Sequence, residues 1–139
     1  MTNTEQNVIE NGLNHLNEVD ECDVQLINNC ESIANQIGCD NWGEEELLLN
    51  EDSEPFTSYD YLQDVMDFRY KINSDFELLE VQLLVAFGGP NIWVHLCNDG
   101  TGRVEGYWWG SRATSRIHSD PMGIFEACEE LFEMRRDAL

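Results

Sequence analysis

Lysine is almost missing from this chain. One lysine, Lys71, and six arginines stand against twenty-eight Asp and Glu over 139 residues, and no cationic side chain precedes Arg69. The formal net charge is −21. Phosphate contacts need Lys and Arg, so direct binding of DNA, RNA or an anionic lipid surface is not expected. Long apolar runs are missing as well. The longest, Leu83 to Phe87, is the length of a strand and far short of a membrane span. Met1 to Glu5 carries neither the charged nor the apolar region of a signal peptide. The cysteines (Cys22, Cys30, Cys39, Cys97, Cys128) are an odd set without CxxC spacing, which reads as reduced, mostly buried thiols. A cytoplasmic protein is expected. Walker, dinucleotide-binding and serine-elbow patterns are also lacking, since Gly88-Gly89-Pro90 leads into no helix and no lysine.

What remains suffices for a folded core. Hydrophobic residues make up 42% of the chain and fourteen are aromatic, so the high charge does not imply disorder. Spacing predicts a helix over 5–20 and a cleaner one over 23–37, with Leu26, Ile27, Cys30, Ile33, Ala34 and Ile37 on one face and Gly38 as cap. Residues 39–56 read as irregular, with a short apolar patch at Leu47 to Leu49 and a stop at Pro55. Thr57 or Ser58 caps a third helix running to about Phe68 and burying Leu62, Val65 and Met66. From Arg69 the period changes to that of strands. Tyr70 and Ile72 alternate with cations, and Phe76 to Phe87 follows as a central strand with Leu79, Val81, Leu83, Val85 and Phe87 on one face. Asn91–Cys97 and Arg103–Trp109 read as a hairpin around Asn98 to Gly102. Asp120-Pro121 starts a last helix to about Asp137. The expected class is α+β, with acidic N-terminal helices, an antiparallel sheet of three or four strands and a C-terminal helix. Residues 1–55 are expected as an acidic helical region and 56–139 as the α+β domain, together one compact unit.

Two features stand out as candidate binding elements. On the expected third helix Asp60, Asp64 and Asp67 fall at i, i+4 and i+7, where like charges repel and Asp is a poor helix former, so local stability does not select them. Glu44, Glu45, Glu46, Glu51, Asp52 and Glu54 lie close by in sequence. Carboxylates at this spacing sit about 5–6 Å apart, comparable with phosphates along a nucleic-acid strand. The bland alternatives are a solvated face and halophilic hydration. The second feature is aromatic: Trp93 and His95 are expected on one face with Tyr107 and Trp109, either packed under a helix or serving as an interface anchor. Chemistry finds less support. Asp99 to Gly102 and Asp40 to Gly43 lack the full ligand set of a calcium loop. His95 and Cys97 share a strand face at i, i+2 with Asp99 following, which reads as a core or half-buried strand pair, and His15 and His118 have no ligand-spaced companions. No enzyme, metal site or cofactor is expected.

The strings Leu84-Val85-Ala86-Phe87-Gly88-Gly89-Pro90-Asn91-Ile92-Trp93 and Val104-Glu105-Gly106-Tyr107-Trp108-Trp109-Gly110 resemble an uncharacterised family of small phage and plasmid proteins, a likeness covering about residues 60–118. In charge and size the whole chain resembles the acidic anti-restriction and anti-CRISPR DNA mimics of mobile elements. These likenesses imply an inhibitor that docks on the basic DNA-binding channel of a bacterial defence protein, in the host cytoplasm if phage-encoded. The other expectation is a phage-type adaptor that binds a protein surface unrelated to DNA through Trp93 and Trp109.

Overall fold

The computed structural model describes residues 23–39, 50–54 and 56–138. Residues 23–37 form helix α1. A six-residue helix α2 (Ser58–Gln63) follows, then five strands, β1 (Asp67–Ile72), β2 (Leu78–Ala86), β3 (Asn91–Cys97), β4 (Gly102–Trp108) and β5 (Ser111–Ile117), and helix α3 (Ile124–Asp137). The expected helix over 5–20 and the apolar patch at Leu47 to Leu49 lie outside the described residues.

The strands form one antiparallel meander in the order β1-β2-β3-β4-β5. The class is therefore α+β, and the sheet has five strands where three or four were expected. The extra one is β5. Its sequence, SRATSRI, alternates Ala113 and Ile117 with Arg112, Thr114 and Arg116, a period-2 pattern with too few large apolar residues to stand out.

Alternation along the strands gives the sheet two distinct faces. One carries Val81, Leu83, Ile92, Val94, Leu96, Val104, Ala113 and Ile117, all buried in a single core. The helices complete that core with Leu26, Cys30, Ala34 and Ile37 from α1, Leu62 from α2, and Ile124, Phe125, Ala127 and Cys128 from α3. Gly106 marks where α1 lies on β4. A Cβ there would stand 2.7 Å from Leu26 Cδ1 and 2.8 Å from Cys30 Sγ, so only glycine lets the helix approach this closely. Ile27, expected on the buried side of α1, is 43% exposed.

Three expectations on local structure are corrected. Helix α2 ends at Gln63, with Asp64 as its C-cap, and Asp67 already belongs to β1. Met66 donates its backbone N–H to Leu84 O (2.9 Å), so the chain has left the helix before it joins β2. The repulsion built into an Asp60-Asp64-Asp67 helical row is thus avoided by not forming the row. Phe87 lies beyond the end of β2 in a turn containing a cis Gly89-Pro90 bond and is 74% exposed. Asp120 does cap α3, accepting from Ile124 N (3.0 Å) and Phe125 N (2.9 Å), but the N-cap position itself is Gly123.

Candidate functional site

All three described helices lie on one side of the sheet, and none of them covers the far face. Its register places in one cross-strand row Arg69, Gln82, His95, Arg103 and Arg116. The next row is Asp67, Leu84, Trp93, Glu105 and Thr114. Lys71, Glu80 and Cys97 flank them on one side, Tyr107 and Arg112 on the other. Five cations (Arg69, Lys71, Arg103, Arg112, Arg116) thus share this face with three carboxylates (Asp67, Glu80, Glu105). The face carries a formal balance of +2 on a chain of −21.

Its centre is a polar network. Arg103 donates from Nη1 to Glu80 Oε1 (3.0 Å) and from Nε to Glu105 Oε1 (2.9 Å). Gln82 donates to Glu80 Oε2 (3.1 Å) and the Tyr107 hydroxyl to Glu105 Oε2 (3.1 Å), while Arg112 reaches Glu105 Oε1 at 3.5 Å. His95, only 7% exposed, sits between the two carboxylates. An arginine can only donate, so the 3.3 Å contact of Arg103 Nη2 with Nδ1 makes that nitrogen the acceptor and places the ring proton on Nε2. Nε2 lies 3.3 Å from Glu105 Oε2, within ion-pair distance, and has no well-formed hydrogen bond.

Burial, helped by the Arg103 charge, pushes the His95 pKa down and keeps the ring neutral. For Glu80, burial would raise the carboxyl pKa, but the Gln82 hydrogen bond and the Arg103 charge outweigh it and hold the group below its ordinary value. Glu105 follows the same pattern: burial opposes, and the Arg103 and Tyr107 hydrogen bonds win. The Cys97 thiol, 3.9 Å from Glu80, is pushed up by burial and by that carboxylate, the wrong direction for a nucleophile. With Nδ1 already occupied by Arg103, the imidazole offers no free lone pair for proton abstraction. Among the described residues, no three His, Cys, Asp or Glu side chains are placed to hold a metal ion. Asp99 spends its carboxylate on its own turn, accepting from Thr101 N (2.9 Å) and Oγ1 (2.6 Å).

Of the sequence-predicted acids that lie among the described residues, all but one are found apart from this face. Glu44, Glu45 and Glu46 lie outside the described residues. Glu51, Asp52 and Glu54 are exposed in a turn organised by Asn50. The Asn50 side-chain oxygen accepts from Asp52 N (2.9 Å) and Glu54 N (3.0 Å), and its backbone N–H donates to Glu54 O (2.9 Å). Asn50 Nδ2 then donates to Asp60 Oδ2 (3.3 Å), latching the acidic turn to the start of α2. Asp60 also accepts from Thr57 N (2.8 Å) in a capping box, and that backbone hydrogen bond holds its carboxyl below the ordinary value. Asp60 is thereby a helix cap, Asp64 projects freely beside the turn, and Asp67 is the exception, paired with Arg69 at 3.5 Å on the far face. A small hollow of about 230 Å3 lies between the turn and α2, bordered by Glu51, Asp52, Asp60 and Asp64. Helix α3 adds exposed Glu126, Glu130, Glu133 and Asp137 on the same helical side, with Tyr59 of α2 donating to Glu130.

The two tryptophans part company. Trp93 is half-buried on the far face beneath the Arg69 guanidinium, 4.6 Å from its ring centroid. Trp109 does not share that face. It occupies the two-residue β4–β5 turn with Gly110 and is 85% exposed. The sequence places Arg103, Arg112 and Arg116 on the strand side, where they are expected to pair with acids, and Arg103 and Arg112 do. The identity of the acids and of His95 as their neighbour was missed, because the members span residues 80 to 112 and meet only through strand register. The available signal was the alternation Arg103-Val104-Glu105 beside Glu80-Val81-Gln82.

Comparison with protein-family models, curated proteins and solved structures gives no match.

Proposed function

We propose that this protein is a non-enzymatic inhibitor that occupies the basic nucleic-acid-binding channel of a bacterial defence protein, such as a CRISPR effector or a restriction enzyme, by presenting carboxylates in place of phosphates. The observation that carries the reading is charge segregation. Five of the seven cations gather on the far face of the sheet, where three carboxylates are also held. The helical side is left with Glu51, Asp52, Glu54, Asp64, Glu126 and Glu130, and none of these has an ion pair within 4 Å among the described residues. A molecule charged in this way approaches a basic groove helix side first, because long-range steering acts on the asymmetric field as well as on the net charge. The latch from Asn50 to Asp60 fixes the acidic turn before binding, which lowers the ordering cost of docking.

The test is capture of partners from bacterial lysate by the intact chain, with duplex DNA as competitor and salt varied from about 50 to 500 mM. The reading expects a nucleic-acid-binding partner that DNA displaces and whose capture falls steeply with salt. A partner that DNA leaves in place would favour the adaptor reading instead.

A further inference from the structure

One end of the sheet breaks the acidic character of the molecule. Residues 83–94 and 106–111 contain no charged side chain, and they meet where β2 passes into β3 and β4 into β5. Phe87 (74% exposed) and Trp109 (85%) project there, beside the more covered Tyr107 and Trp108. Between the two turns lies a groove of about 580 Å3, whose floor and walls include Gly88, Gly89, Asn91, Tyr107, Trp108 and Arg112. No carboxylate lines it. Its one charged group, Arg112, is engaged by Glu105 at 3.5 Å and lies over the Tyr107 ring at 5.6 Å.

Trp109 is an odd choice for its position. It sits at φ +52° with Gly110 at +79°, the positive pair of a type I′ turn, where Asn, Asp or Gly is the easy residue. A large aromatic ring in that conformation, almost wholly in solvent, buries little surface in the fold.

We propose that this aromatic end is the contact through which two copies of the chain associate, with Trp109 of each copy seated in the groove of the other. The choice of occupant follows from charge. A basic partner is drawn to carboxylates, and this groove has none. Two copies carrying −21 each can come together only where no carboxylates are forced against one another. A projecting ring on the lip of a hollow gives one end both parts that a two-fold interface exchanges. The contact is small and opposed by like charge, so the association belongs to the weak class of interfaces.

Sedimentation equilibrium of the intact chain tests this across protein concentration at low and high salt. The proposal expects a monomer–dimer equilibrium that shifts toward dimer as salt rises, because screening removes the repulsion while apolar burial remains. Capture of a DNA-displaceable partner moves the opposite way with salt, so the two contacts are read separately. Trp109→Asn, a residue better suited to the turn, is expected to stay folded and weaken dimerisation at least tenfold, and Phe87→Ser to weaken it less. A chain that stays monomeric up to about 1 mM at high salt overturns the proposal, since even millimolar affinity would be visible there. So does a dimer indifferent to both substitutions. A monomer whose Trp109→Asn form loses a protein partner overturns it too, and assigns the groove to that partner.

Discussion

The acids on the far face of the sheet and the acids of the 50–64 segment are the same chemical groups in opposite circumstances. Glu80 and Glu105 are nearly out of solvent, each gripped by Arg103 and by a second hydrogen-bond donor. Glu51, Asp52, Glu54 and Asp64 stand in water without a cation among the described residues. Of seven cations, five lie on the far face, two of them (Arg103 and Arg112) against the buried carboxylates. The helical side keeps Arg135 and Arg136 on α3, of which Arg136 pairs with Asp137, against a larger number of exposed acids. Removing one partner from a buried pair leaves the other stranded, whereas removing an exposed charge costs the fold almost nothing. The comparison separates carboxylates that hold the structure from carboxylates free to meet a partner.

The largest effect is expected at Glu105, which serves Arg103, Arg112, Tyr107 and His95 at once. Glu105→Ala should lower unfolding free energy by about 2–3 kcal/mol, below the value for a fully enclosed pair because Arg103 is partly solvated. Urea unfolding measures it; a loss no larger than that of an exposed acid would place Glu105 with the presenting carboxylates. Within the acidic segment, Asp60→Ala should lower the thermal midpoint clearly, since it removes the capping box and the Asn50 latch together. Asp64→Ala, one turn on, should leave the midpoint nearly unchanged. Equal effects at the two positions would restore the idea of a uniform acidic row.

A smaller effect concerns acid. The folded pKa of His95 is depressed from the ordinary 6.5, so below that pH the unfolded chain takes up a proton that the fold resists, and stability declines as pH falls. Glu80 and Glu105, also depressed, add a further decline below about 4.5, as pH falls through their folded values. Protonating exposed acids relieves repulsion in the opposite sense, so the useful quantity is the difference between the wild type and His95→Gln. That difference should change between pH 7 and pH 5 and be flat above pH 7. A difference constant across the whole range would remove His95 from the linkage.

How much of this was legible in the sequence depends on the range of the signal. The alternation of β2, β3 and β4, the helical spacing of Leu26, Cys30, Ala34 and Ile37, and the last helix are local patterns, and the structure has these elements there, with ends shifted by up to four residues. Helix α2 was read too long because Leu62, Val65 and Met66 continue a helical spacing, while the bond from Met66 N to Leu84 O that competes with it comes from eighteen residues away. Strand β5 escaped because Ser, Ala and Thr alternate as quietly in loops as in an edge strand. In the candidate site the exposed acids were readable one by one. The division of labour among the charges was not, because Glu80, His95, Arg103 and Glu105 become neighbours only through pairing register.

The most direct test of the account replaces only the presenting carboxylates. A chain carrying Glu51→Gln, Asp52→Asn, Glu54→Gln and Asp64→Asn is compared with the wild type in thermal unfolding and in capture of a DNA-displaceable partner. The account predicts an unchanged or slightly raised midpoint, as surface repulsion falls, with capture reduced at least tenfold. Equal capture by the two chains, at equal stability, would contradict it.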